Sequence, residues 1–203
     1  NMQVLFDVKP VVTLFDYING HKKLQDVIIE TKYPNLSLIA GKSGYQYATN
    51  SSSFIFSRLV QDILDLNFYD ILIVDTGAGL NDYVKEFLKV STNILAITST
   101  DPSALTDVYS LIKMLAIDKK SLMLCFNHTK NELVGETISN SLINLAKKNR
   151  LKSEFVIKYI GSVPSSENIT KIARARKIFV NEFPQEDAAI KLHNIVDGVL
   201  KNI

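Results

Sequence analysis

Phe68-Tyr69-Asp70-Ile71-Leu72-Ile73-Val74-Asp75-Thr76-Gly77-Ala78-Gly79-Leu80 is the stretch whose reading decides the fold. Four consecutive apolar residues, Ile71 to Val74, leave no polar face. That predicts a strand buried on both sides, in a parallel sheet covered by helices. The run ends in a carboxylate, Asp75, and a turn containing Gly77 and Gly79 follows. Open α/β sheets bind ligands just beyond the carboxyl ends of their strands. An acid there, with backbone that a ligand can approach closely, is what a magnesium–phosphate site needs. The other reading is an acidic strand end with a glycine-rich turn and no ligand, and this partial motif alone leaves both open.

Outward from this stretch, strand and helix patterns alternate. Upstream, Val4-Leu5-Phe6 is a short apolar run. Thr13 to Asn19-Gly20 has the start and stop signals of a short helix, and Lys23 to Glu30 predicts a second. Leu36–Ala40 reads as a strand with a turn over Gly41-Lys42-Ser43-Gly44. Phe54 to Leu66 carries Ile55, Leu59, Ile63 and Leu66 at helical spacing. Downstream, a helix is predicted from about Asn81 to Lys89, a buried strand over Asn93–Thr98, and a helix opened by Asp101-Pro102. A strand over Leu122–Phe126 ends in Asn127. A helix over Asn131–Asn149, a strand over Phe155–Ile160, a basic helix over Asn168–Arg176 and a final helix over Gln185–Leu200 complete the order. This alternation implies βαβ units and a mainly parallel sheet in one domain spanning residues 1–203.

Composition narrows the function classes. The chain has 203 residues, 46% hydrophobic and 22% charged, enough to bury a core without disulfides or metal. A formal net charge of +2 supplies no strong field for nucleic acid or membrane. Cys125, the single cysteine, lies in an apolar run and reads as a buried thiol in a reducing, cytoplasmic setting. The chain opens on Asn1-Met2-Gln3 with no starting element, so an upstream segment is expected.

Several further stretches have the makings of a site. Gly41-Lys42-Ser43 looks like the tail of a phosphate loop, but Leu36 stands where a glycine is required, so a simple turn is preferred. Asn127 offers both a donor and an acceptor, which suits the edge of an adenine ring; it could equally be a turn residue. Pro164 and Ser165 lie at another strand end, where a rigid proline could rest against a base or merely shape the turn. His21, His128 and His193 carry no metal-ligand spacing. Lys171, Arg174, Arg176 and Lys177 form a basic helix face, most simply a solvated one.

Taken together, Tyr69 to Gly79 and Thr98-Ser99-Thr100-Asp101-Pro102-Ser103-Ala104-Leu105-Thr106-Asp107 resemble the MinD/ParA class of deviant Walker ATPases. Within that class the chain is most similar to the flagellar-number regulators (FlhG, FleN or YlxH). Residues 1–20 match the segment after that family's second acidic motif, and Phe126-Asn127, Gly161–Pro164 and Phe183-Pro184 follow in family order. The resemblance implies a P-loop NTPase-like α/β fold, helices on both sheet faces, whose first strand or strands lie outside this chain. It implies an ATPase using ATP and Mg²⁺, with Asp75 as the metal-side acid holding Mg²⁺ through water. Gly77 would lie in the switch turn, Asn127 would read adenine, and Pro164 with Ser165 would flank the base. His128 stands where the family carries a basic residue. The phosphate loop, signature lysine and catalytic aspartate are expected upstream of Asn1, so no catalytic residue is expected in this chain, and alone it should not hydrolyse ATP. The implied partners are a second copy in an ATP-dependent homodimer, a flagellar GTPase of the signal-recognition-particle type, and the inner face of the cell membrane. The alternatives are a non-hydrolysing interaction module and a DNA-partitioning ATPase; the latter would want a stronger basic surface.

Overall fold

The computed structural model describes residues 2–41, 53–118, 121–149, 151 and 154–203. The expected turn at Lys42-Ser43-Gly44 lies outside the described residues. Two compact units emerge: residues 1–90 with 172–178, and residues 91–171 with 179–203.

The first unit contains helices α1 (Met2–Leu5), α2 (Leu14–Ile18) and α3 (Leu24–Val27), strands β1 (Ile28–Glu30) and β2 (Ser37–Ile39), and helices α4 (Ser53–Asp65) and α5 (Asp82–Val90). Helix α2 starts where the sequence predicts, because the Asp16 carboxylate accepts from the Thr13 backbone N–H at 2.7 Å and from its hydroxyl at 3.0 Å. It stops at Gly20, whose φ of +73° is open to glycine at no steric cost. Leu14, Leu24, Val27, Leu59, Ile63 and Phe87 form the core.

Three expectations need correcting here. The helix over Lys23–Glu30 ends at Val27, and Ile28–Glu30 instead becomes β1. That strand pairs antiparallel with β2, Ile28 opposite Ile39, so this small sheet is not part of a parallel array. The decisive run Ile71–Val74 is extended but joins no ladder among the described residues. A strand is buried on both sides only when neighbours cover its edges and faces. Here Val74 packs on the unit's core, whereas Ile71, Leu72 and Ile73 are 48%, 40% and 83% exposed.

The second unit is the βαβ portion: β3 (Leu95–Thr98), α6 (Pro102–Asp118), β4 (Ser121–Thr129), α7 (Glu132–Lys148), β5 (Val156–Pro164), the start of α8 (Glu167–Arg174), then α9 (Phe179–Glu182) and α10 (Asp187–Leu200). Its sheet is parallel, in the order β3-β4-β5. Leu122, Met123, Leu124, Cys125 and Phe126 are buried in unbroken sequence, so central β4 is covered on both faces. Two strands run further than the sequence predicts: β4 continues through Asn127 and His128 to Thr129, and β5 continues through Gly161 to Pro164.

The β4–β5 ladder slips twice. Leu124 faces Tyr159 but Cys125 faces Gly161, which leaves Ile160 as an extra residue in β5. Asn127 faces Val163 but Thr129 faces Pro164, which leaves His128 as an extra residue in β4. The second bulge restores the register the first displaced, so both strands reach their carboxyl ends level. The first bulge requires glycine: Gly161 has φ +141°, and a Cβ there would lie 2.8 Å from Ile195 Cγ1 on α10.

Candidate functional site

Four of the five residues singled out as ligand contacts sit at or beside the ends of extended segments that the sequence predicts. Asp75 ends the extended run of the first unit. It is exposed, and its carboxylate has no hydrogen-bond or ion-pair partner among the described residues. Gly77 follows with open space where a Cβ would stand; Gly79, not Gly77, takes the left-handed backbone, at φ +83°. The turn after Asp75 is therefore accessible to a ligand from outside.

Asn127, Pro164 and Ser165 belong to the second unit, and the structure brings them to one place. Asn127 and Pro164 lie at the carboxyl end of the parallel sheet, on adjacent strands. The Asn127 side chain is half-buried, and its Oδ1 accepts the His128 backbone N–H at 3.0 Å. Only the amide oxygen can accept that proton, so this contact distinguishes the two amide atoms and leaves Nδ2 without a hydrogen-bond partner among the described residues. Across the rim, His128 Nδ1 lies 3.3 Å from Ser165 Oγ. Below it, the Thr129 hydroxyl donates to the Val163 carbonyl at 3.3 Å. Asn127 is not the cap of the next helix; Asn131 is, accepting the Val134 N–H at 3.1 Å.

Behind Ser165 the chain is anchored. Ser166 Oγ donates to Glu186, Asn168 Nδ2 donates to the same carboxylate at 2.9 Å, and Glu186 precedes α10. These bonds, the Ser166 one foremost, hold the Glu186 carboxyl below its ordinary value. Deeper in the sheet, burial alone pushes the Cys125 thiol up to about 11, which keeps it a neutral core residue.

Two features that the sequence reading missed stand out. His128 has φ +57°, a left-handed backbone that non-glycine residues adopt uncommonly, with asparagine, aspartate and histidine the most frequent among them. Nothing in Phe126-Asn127-His128-Thr129 announces it, since the bulge follows from the register of two strands. The other is a cleft of about 600 Å³ in the first unit, lined by Tyr17, Lys22, Lys23, Arg58 and Asp62 among others. Tyr17 donates to Asp62, and burial followed by that carboxylate pushes the phenol up to about 12. This cleft contains none of the residues singled out by sequence.

The donor set fits the expected ligand in part. A half-buried amide at a parallel sheet's carboxyl end, beside a proline, has the chemistry for a purine edge. A lone exposed carboxylate, Asp75, fits a magnesium ion held mainly by water and phosphate oxygens. Among the described residues no group of three His, Cys, Asp or Glu side chains could hold a metal by itself. No helix among them is long and apolar enough to cross a membrane.

No protein-family profile matches the chain. It is 32% identical over 187 residues to the flagellum site-determining protein YlxH of Helicobacter pylori, covering 92% of this chain and 63% of that protein. It is 27% identical over 203 residues to the antiactivator FleN of Pseudomonas aeruginosa, covering 98% of this chain and 71% of that one. Among solved structures it superposes with a TM-score of 0.77 on the septum site-determining protein MinD of Pyrococcus horikoshii, complexed with Mg-ADP. That match covers 98% of this chain and 78% of MinD, at 17% identity, and it establishes the fold. The chain thus spans less than two thirds of the length of YlxH. With the parallel βαβ arrangement and the MinD superposition in agreement, this chain has a MinD-like fold, and its sequence is similar to the flagellar regulators YlxH and FleN.

Proposed function

We infer that the intact protein is an ATP-binding, ATP-hydrolysing switch that dimerises on ATP and regulates flagellar number or placement. The observation that carries this reading is the oriented Asn127 amide beside Pro164 and Ser165 at the sheet's carboxyl end. The Mg-ADP in the P. horikoshii MinD supports nucleotide and magnesium as the ligands. In this reading Asn127 binds the adenine edge and Pro164 with Ser165 flanks the base. Asp75 holds magnesium through water, and the Gly77 turn responds to the γ-phosphate. Binding ATP biases that turn, and hydrolysis resets it. The bound magnesium would neutralise phosphate charge, which is most of what phosphoryl transfer demands. Under the same reading residues 1–203 belong to one ATPase domain, and its partners are a second copy, a flagellar GTPase of the signal-recognition-particle type and the cytoplasmic membrane surface.

Calorimetry with ATP and Mg²⁺ tests this on the 203-residue chain and on the chain extended to the start of its gene. Each is compared with Asp75→Ala and Asn127→Ala. The extended wild type is expected to bind. Asp75→Ala should abolish the magnesium dependence, and Asn127→Ala should weaken binding by about tenfold, the worth of a lost bidentate base contact. Absence of binding by either length would leave an α/β interaction module instead.

A further inference from the structure

The cleft in the first unit has no role in the reading above. Its lining comes from residues 17–25 and 54–66, all within the first unit. It follows one stripe of α4 from Phe54 to Leu66, a length of about 18 Å at 1.5 Å per residue. An extended peptide of about six residues covers the same length. The cleft's volume, about 600 Å³, is in the range of ligand-binding sites.

Its lining has an apolar part and a charged part. Ile18, Leu24, Ile55 and Leu66 supply the apolar part, and Ile18 and Leu66 also pack on the unit's core. Phe54, 72% exposed, adds an aromatic ring where α4 begins. Among the charged residues, the carboxylates are already engaged. Asp62 accepts from the Tyr17 hydroxyl and lies 3.5 Å from Arg58 Nε, and Asp65 accepts from Gln61 at 2.7 Å. Lys22 and Lys23 are different: both are exposed, and neither has an ion-pair partner among the described residues. Their backbone is held in place, because the Lys22 N–H donates to the Asp16 carbonyl at 3.1 Å and the Lys23 N–H to the Asp26 carboxylate at 3.0 Å. Two free cations on a fixed backbone, beside an apolar cleft, complement anionic groups that alternate with apolar ones. In such a groove apolar contact supplies affinity and charge selects the partner. A membrane surface also carries anions, but it is flat, and Leu24 in the lining is only 5% exposed.

We propose that the cleft between residues 17–25 and α4 is a docking groove for a short acidic segment of a partner protein, which sets apolar side chains against Ile18, Leu24, Ile55 and Leu66 and carboxylates toward Lys22 and Lys23. The groove shares no residue with the nucleotide site, so the proposal goes beyond that reading and is tested apart from it.

Fluorescence anisotropy on the full-length gene product, without nucleotide, compares three labelled hexapeptides. One alternates glutamate and leucine, one lysine and leucine, and one glutamate and serine. The first should bind about tenfold more tightly than either of the others, which lack the charge or the apolar anchors. The double variant Lys22→Glu, Lys23→Glu should weaken its binding about tenfold. Lys22→Arg with Lys23→Arg keeps both charges and should stay within about twofold of wild type. No binding of the glutamate–leucine peptide overturns the proposal, as does equal binding of the lysine–leucine peptide or a charge reversal without effect. Phosphatidylglycerol vesicles provide the remaining arm. If the reversal weakens binding to the vesicles while the peptide does not bind, the lysines serve a membrane surface and the proposal is overturned. Wild type that binds the glutamate–leucine peptide but not Mg·ATP supports the groove and removes the nucleotide reading alone.

Discussion

Glu186 shows how a single side chain ties the proposed base site to the rest of its unit. Its carboxylate accepts from Ser166 and Asn168, the residues that follow the Pro164-Ser165 rim. Those bonds favour the charged form, so the folded-state value lies below the ordinary 4.5. A depressed carboxylate contributes stability that is present above its unfolded value and lost as pH falls below 4.5 through the folded one. In urea unfolding followed from neutral to acidic pH, Glu186→Gln should be less stable than wild type near neutrality. The two curves should converge at the acid end. Parallel curves at all pH values would mean that the carboxylate's charge is not what holds the loop. Of the individual site residues, Asn127 and Pro164 could be singled out from their positions at strand ends. His128 could not, because a positive φ in a histidine is imposed by the slip between two strands.

At the scale of elements, local signals placed helices well and strands less well. Helix α7 begins after Asn131 and ends before Asn149, as the sequence predicts. Its N-cap is a side-chain bond within one turn, and such bonds depend only on near neighbours. Asn131→Ala should therefore cost about 1 kcal/mol in chemical denaturation. A loss well below that would mean solvent satisfies the first turn equally well. Strand ends differ, since a strand stops where its partner stops. Accordingly β4 and β5 both outrun their apolar cores, carrying Asn127 and Gly161–Pro164 into the ladder. Helix α3 is cut short for the same reason: Ile28 has helical spacing but finds Ile39 opposite it and pairs.

Across the whole molecule, charge bears on which partner class is excluded. The net formal charge is +2, and within the basic segment 171–177 Arg176 is already paired with Asp7. Binding to duplex DNA at physiological salt should then be no tighter than ordinary non-specific affinity, about 10⁻⁴ to 10⁻⁶ M, in fluorescence anisotropy. Tighter binding with a steep salt dependence would favour a DNA-partitioning role over flagellar regulation. The alternation of apolar runs with helical stripes determined the α/β class and the βαβ order by itself, because periodicity reports which faces are buried. The motifs around Asp75 and Asp101 were enough to indicate the MinD/ParA resemblance. Tertiary structure alone decided that Ile71, Leu72 and Ile73 have exposed apolar side chains, that β1 and β2 run antiparallel, and that His128 bulges. Each of these depends on what lies across a strand, and hydrogen bonding between distant segments leaves no trace in the local pattern of residues.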